Sequence, residues 1–315
     1  DWISRLEKLD DVIDQYIALA NQGIENQVMP PKVLMSRVLN QIKLQNVDSY
    51  INSPFYDAFE FLPDEISNQE QEQIREQAQI TITNVVIPSY VKLLNFFENS
   101  YYPNCRDTIG ISDIKNGSQY YELIARQFTT TELTPDEIHN IGLSEVSRIK
   151  NEMFKIMDQV QWNGSFNEFL NFLRTDSQFY FETGEELFTE YLATSKRIDP
   201  LLVKLFKDLP SMPYGLKPIP MESAPDTTTA YYQRPAADGS RAGYYYVNLY
   251  MPEVRPKYEI EALSLHEAMP GHHLQIAYTM ELDLPNFRKY GGYTAFVEGW
   301  GLYAESLGED LGMYK

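Results

Sequence analysis

The sequence predicts a mainly α-helical protein with a small antiparallel β-sheet, an α+β fold. Three observations lead there. Residues 2–22 and 31–46 place apolar side chains at spacings of three and four. "TPDE" at 134–137 is a capping box with proline at the first helical position. At Leu209 the chain changes character, because "LPSMPYGLKPIP" holds four prolines in twelve residues and Thr, Tyr and Val then dominate.

The elements follow in order. After the first two helices, residues 63–99 form a long helical segment, polar at first and apolar later, with a kink expected at Pro88. The helix opened by "TPDE" should run to about residue 159, where "NGS" at 163–165 breaks it and Ser165 caps the next. Helices are expected near 166–173, 184–197 and 199–207. A small antiparallel sheet is expected over 214–250, with "ADGSRA" as its turn. Helical pattern resumes over 257–281, "LPNF" and "GGY" interrupt, and a last helix covers 293–308. The chain thus reads as a helical body over 1–208, followed over 209–315 by the sheet and two motif helices. It opens without Met and closes on "EDLGMYK", which reads as a catalytic domain cut at both ends.

Composition narrows the partners. There are 45 acidic and 26 basic residues, a net charge of −19, which disfavours nucleic acid and anionic membrane surfaces. The single Cys105 can build neither an internal disulfide nor a thiolate metal cluster. No run of about 18 apolar residues is evident, so no transmembrane segment is expected.

The chemistry concentrates in "LHEAMPGHHLQ", residues 265–275. The chain has four histidines, and three of them are His266, His272 and His273. His266 and Glu267 begin like the zinc motif H-E-x-x-H, in which a four-residue spacing puts two imidazoles on one helix face. Here Pro270 occupies the second histidine's place. On an unbroken helix His273 lies almost over His266 but about 10 Å along the axis, a long reach for one ion. A local unwinding at Met269 and Pro270, with Gly271 tolerating unusual dihedrals, would return His272 to the required position. His272 is therefore the preferred second ligand and His273 the alternative. "TAFVEGWGLYAE" offers Glu298 and Glu305, seven residues apart on one helix face. Glu298, flanked by Phe296, Val297 and Trp300, is expected to face a buried region as the third ligand. Glu305 would orient a histidine from behind, or lie on a solvated face. Glu267 is the candidate general base. Tyr244, Tyr245 and Tyr246 lie on a strand before the motif, where alternation puts Tyr244 and Tyr246 on one face. Tyr244, Tyr246 and Asn248 are candidate substrate contacts. Arg234 and Arg241 read first as surface loop residues and second as contacts to a substrate terminus. His139, on a helix far from the motif, reads as structural.

"HEAMPGHHLQ", "FVEGWGLYAE", "GSRAGYYYVN" and "TPDEIHNIGLSEVSRI" together resemble the bacterial domain-of-unknown-function family 885 (DUF885) over nearly the whole chain. That family is grouped with the zincin-type, gluzincin-like metallopeptidases. More distantly the chain is similar to thimet-oligopeptidase-like and dipeptidyl-peptidase-III-like enzymes. The resemblance implies a zincin-like fold with a helical body walling a cleft and Zn2+ on His266, His272 and Glu298. It implies Glu267 as general base and a peptide substrate paired along an edge strand, for which "GYYYVNL" is the candidate. Family members are longer at both ends, and the further C-terminal helices carry His, Tyr and Arg motifs facing the cleft. The resemblance also implies an exported bacterial protein, periplasmic or lipoprotein-anchored. Two other functions fit the residues: hydrolysis of a non-peptide amide or ester, and a non-catalytic binding protein on the same scaffold.

Overall fold

The computed structural model describes residues 1–314. It is mainly helical with one small sheet, and it divides into two compact units, residues 1–121 and 122–315.

The first unit carries α1 (Trp2–Leu6), α2 (Leu9–Glu25), α3 (Lys32–Leu44), α4 (Asn68–Thr81) and α5 (Ile87–Phe96). α4 opens on a capping box, in which Ser67 and Glu70 satisfy each other's backbone N–H groups. From there helix continues to Asn104 through two π-helical turns, Ile82–Val86 and Phe97–Tyr101. Pro88 and Pro103 explain both turns. A proline has no N–H for the carbonyl four residues back, and its ring crowds that carbonyl. Those carbonyls belong to Asn84 and Asn99, one inside each π turn, where the wider spacing makes room. The expected kink is thus absorbed as a bulge. Ala78, Ile82 and Val86 from this run pack with Leu6 and Phe59 in the unit's core. Asn68–Asn104 is also long and apolar enough to cross a membrane by length and composition, with a window of mean hydropathy 1.3. No other described helix passes that test. Ala78, Ile82 and Val86 pack in the unit's core, while 28% of the window as a whole is buried.

α6 (Gly117–Thr129) spans the sequence boundary between the units. In the second unit α7 (Pro135–Gln159), α8 (Phe166–Thr175) and α9 (Gly184–Ile198) each begin on a capping box, built by Thr134 with Glu137, Ser165 with Glu168 and Thr183 with Glu186. Asp199–Lys204, expected as α-helix, is a 3-10 turn beginning at Asp199-Pro200.

The sheet has three strands, β1 (Tyr214–Pro218), β2 (Ala230–Gln233) and β3 (Gly243–Val247), in the order β1-β3-β2. It is mixed rather than antiparallel. β2 and β3 form the expected antiparallel hairpin, with Tyr232 opposite Tyr245, but β1 runs parallel to β3. The link over 219–229 carries the chain past β3, so β1 and β2 sit on opposite sides of it. Asn248 holds that link by donating from Nδ2 to the carbonyls of Ala224, Thr227 and Thr228. Tyr245 and Val247 are fully buried with Leu187, Tyr191, Ile260 and Ala268, which seats one face of the sheet on α9 and the next helix.

The helix expected over 257–281 is two helices, α10 (Ile260–Glu267) and α11 (His272–Glu281), separated by residues 268–271. A short α12 (Asn286–Tyr290) precedes α13 (Thr294–Leu311), which ends on left-handed Gly312.

Candidate metal centre

The break between α10 and α11 is built from Pro270 and Gly271. Proline supplies no N–H, and the ladder resumes with His273 N–H donating to Ala268 O and Gln275 N–H to Gly271 O. A Cβ on residue 271 would lie 1.8 Å from His266 O and 2.3 Å from Leu265 O, so only glycine fits. Trp300 Nε1 donates to Pro270 O at 2.8 Å and ties the loop to α13. The detour starts α11 at His272 with its ring beside that of His266, centroids 4.6 Å apart and nearly perpendicular.

α13 supplies the carboxylates. Gly301, Ala304 and Gly308 recur at helical spacing and let α13 approach α10 closely. A Cβ at Gly301 would stand 2.6 Å from the His266 ring, and one at Gly308 2.7 Å from Leu265 Cδ1. Glu298 and Glu305 flank Gly301 at spacings of three and four, so they share its face. His266 Nδ1 lies 2.7 Å from Glu305 Oε1; donating there, it turns the Nε2 lone pair outward. His266 Nε2 is 3.4 Å and His272 Nε2 3.7 Å from Glu298 Oε2. One ligand atom from each of these three residues lies within 4.8 Å of the others. Tetrahedral zinc, with bonds near 2 Å, holds its ligands about 3.3 Å apart, so the donor set and spacing fit that ion. The Glu298 side chain is 57% exposed, although its apolar sequence neighbours predicted burial. Phe296 beside it is exposed as well.

Glu267 differs from Glu298 and Glu305 in being buried, as His272 and Ala268 beside it are. Desolvation pushes its carboxyl up to about 7, against the opposing pull of His266 and a hydrogen bond from the Tyr232 backbone N–H; Glu298 and Glu305 push further upward. Burial, and then His266, hold His272 below the usual histidine range, against the smaller pull of Glu298. The neutral imidazole so favoured is the form that binds a metal.

His273 turns the other way. Its Nε2 donates to Met212 O at 3.0 Å, which leaves Nδ1 to accept from Tyr232 OH at 2.7 Å. Burial lowers it to about 4. Tyr244 and Tyr246 project from the sheet face opposite Tyr245. Tyr246 stacks on Tyr231, and Lys217 lies over the Tyr244 ring. Asn248 is buried, its amide committed to the 224–228 carbonyls and its Oδ1 to Tyr250 N–H. His139 is exposed on α7. The structure thus gathers His266, Glu267, His272, Glu298 and Glu305, and leaves Tyr244, Tyr246 and Asn248 apart from them. It adds Tyr232, which touches Glu267 through its backbone and His273 through its hydroxyl. A lone Tyr in a Tyr-rich strand carries no signal of that role, whereas the small-residue spacing at 301, 304 and 308 is readable in sequence.

A family model described as "Bacterial protein of unknown function (DUF885)" matches residues 1–315. Among solved structures, "the putative lipoprotein from Colwellia psychrerythraea" superposes with a TM-score of 0.92 at 30% identity, over 99% of this chain and 55% of that one. The chain therefore spans about half the length of that protein. No curated protein matches it.

Proposed function

We propose that this chain, which belongs to the DUF885 family, is the catalytic part of a zinc-dependent hydrolase, with peptides as its substrate class and a zincin-like arrangement of its site. The observation that carries this is the convergence of His266 Nε2, His272 Nε2 and Glu298 Oε2 beside a buried carboxylate raised to about 7. His266, His272 and Glu298 would hold the ion, and Glu305 would keep His266 in the ligating tautomer. Zinc, when bound, lowers the pKa of water toward ~7 and polarises a scissile carbonyl. Glu267 is placed to take a proton from the attacking water and return it to the leaving amine. A base works best with a pKa near the working pH, and burial sets that value here. The Tyr232 N–H steadies the Glu267 carboxylate.

The substrate-pairing strand is β2 in this proposal. β3, the candidate from sequence, is central and has strands on both sides. β2 pairs with β3 on one side, and among the described residues no strand occupies the other. The bond from Asn248 N–H to Thr229 O fixes the alternation, so Ala230 and Tyr232 direct their backbone groups away from β3, with the Tyr232 N–H taken by Glu267 and the remaining groups left for a peptide. That edge faces Glu267, where an extended peptide would pair by strand addition. The Colwellia protein's description as a lipoprotein supports export and an envelope location for this chain.

The test is turnover of a peptide library with and without chelator. Glu267→Gln should keep its zinc and lose all measurable turnover. Undiminished turnover in that variant would remove Glu267 as the base. Turnover of esters or non-peptide amides alone would reassign the substrate class.

A further inference from the structure

β2 ends at Gln233, and the next residue is Arg234. It stands two positions beyond Tyr232, whose N–H holds Glu267. At about 3.3 Å of strand rise per residue, that is one or two substrate residues along the same edge. In a chain of net charge −19, a cation would ordinarily meet an acidic partner. Arg234 meets none. Its guanidinium carbon lies 5.9 Å from the centroid of the Tyr290 ring, and no described carboxylate pairs with it. Tyr290 brings α12 to this end of the strand, and Arg288 and Lys289 on that helix also lack a described ion-pair partner. Arg241, whose NH1 donates to Gln233 Oε1 at 3.0 Å, adds a fourth positive charge. A ring face positions a guanidinium without consuming its N–H donors. The fork stays available for a carboxylate, which it matches in a bidentate manner.

We propose that Arg234 is a specificity residue that anchors a substrate carboxylate one or two residues from the scissile bond. This rests on the reading of β2 as the substrate edge. The carboxylate is either the peptide's free C-terminus or an Asp or Glu side chain at that position.

The test uses the full chain as the Glu267→Gln variant, loaded with zinc, so that ligand is bound and not consumed. Calorimetric titration compares tetra-alanine as the free acid, its C-terminal amide, and the amide carrying Glu at its last position. One charge-assisted contact at a partly exposed site corresponds to tighter binding of the acid than the amide by about 10- to 100-fold. Arg234→Gln should bring that ratio to about one, and Arg234→Lys should leave it between. The Glu-containing amide matches the acid if charge alone is read, and matches the plain amide if a terminal carboxylate is required. Equal binding of all three peptides by the parent overturns the proposal. So does an undiminished ratio in Arg234→Gln, or no binding of the acid. Absence of stoichiometric zinc in the parent is a separate outcome, which removes the hydrolase reading while the acid-to-amide ratio still reports on Arg234.

Discussion

Pro88 and Pro103 in the first unit and Pro270 in the second all stand where a helix would otherwise run on. In the first unit the helix absorbs them. It widens into a π turn before Pro88 and continues, and a second π turn leads into the 3-10 turn Tyr102–Asn104, where the run ends at Pro103. The residues gathered at Ile82–Val86 are mostly apolar and enter the core. In the second unit the helix stops, detours through four residues and restarts at the second histidine, His272. The difference lies in Gly271, whose missing side chain lets the chain pass against its own carbonyls. A proline re-spaces a helix; a proline followed by a glycine re-aims one, and here the re-aimed residues are ionisable.

The strongest break of this comparison is Gly271→Ala. The added methyl meets main-chain oxygens at 1.8 and 2.3 Å, which cannot swing aside as side chains do. Urea unfolding should show a loss on the order of 4 kcal/mol or more, in the range reserved for specific structural clashes. Wild-type stability in that variant would mean the detour has another course.

Next is the charge that the detour buries. In the metal-free protein Glu267 holds its proton up to about pH 7, while the unfolded chain releases it near the ordinary glutamate value. Between those values the folded state binds more protons, so stability falls as pH rises through the window and the loss is complete above it. Glu267→Gln does not titrate. Relative to wild type it should gain roughly 3 kcal/mol between pH 5 and pH 8, from about 1.4 kcal/mol per pH unit. Parallel pH profiles would show that the carboxylate is solvated.

The smallest effect is expected at Pro88→Ala. The π turn already makes room, and the proline is exposed, so stability should change by about 1 kcal/mol or less. A large loss would show that the first unit's interruption is as constrained as the second's.

Much of this was readable in the residues. The capping boxes at Thr134 and Ser165 mark helix starts because their chemistry is local. That His272 rather than His273 comes beside His266 also follows locally, from the break that Pro270 and Gly271 impose on the helix. The parallel pairing of β1 was not readable, because strand direction depends on where an eleven-residue link over 219–229 travels, and Asn248 fixes that path from a distance. Nor was the exposure of Glu298, since apolar neighbours such as Phe296 say nothing of what covers them. Tyr232 acts through its backbone N–H and through a contact to a histidine 41 positions away, and neither leaves a trace in local sequence.

The most direct measurement is zinc stoichiometry by titration and elemental analysis on the wild-type chain and four variants. One zinc per chain is expected for wild type and His273→Gln, with saturable binding lost in His266→Ala, His272→Ala and Glu298→Ala. A wild-type chain that binds no stoichiometric zinc, or a His272→Ala chain that retains it, would contradict the assignment.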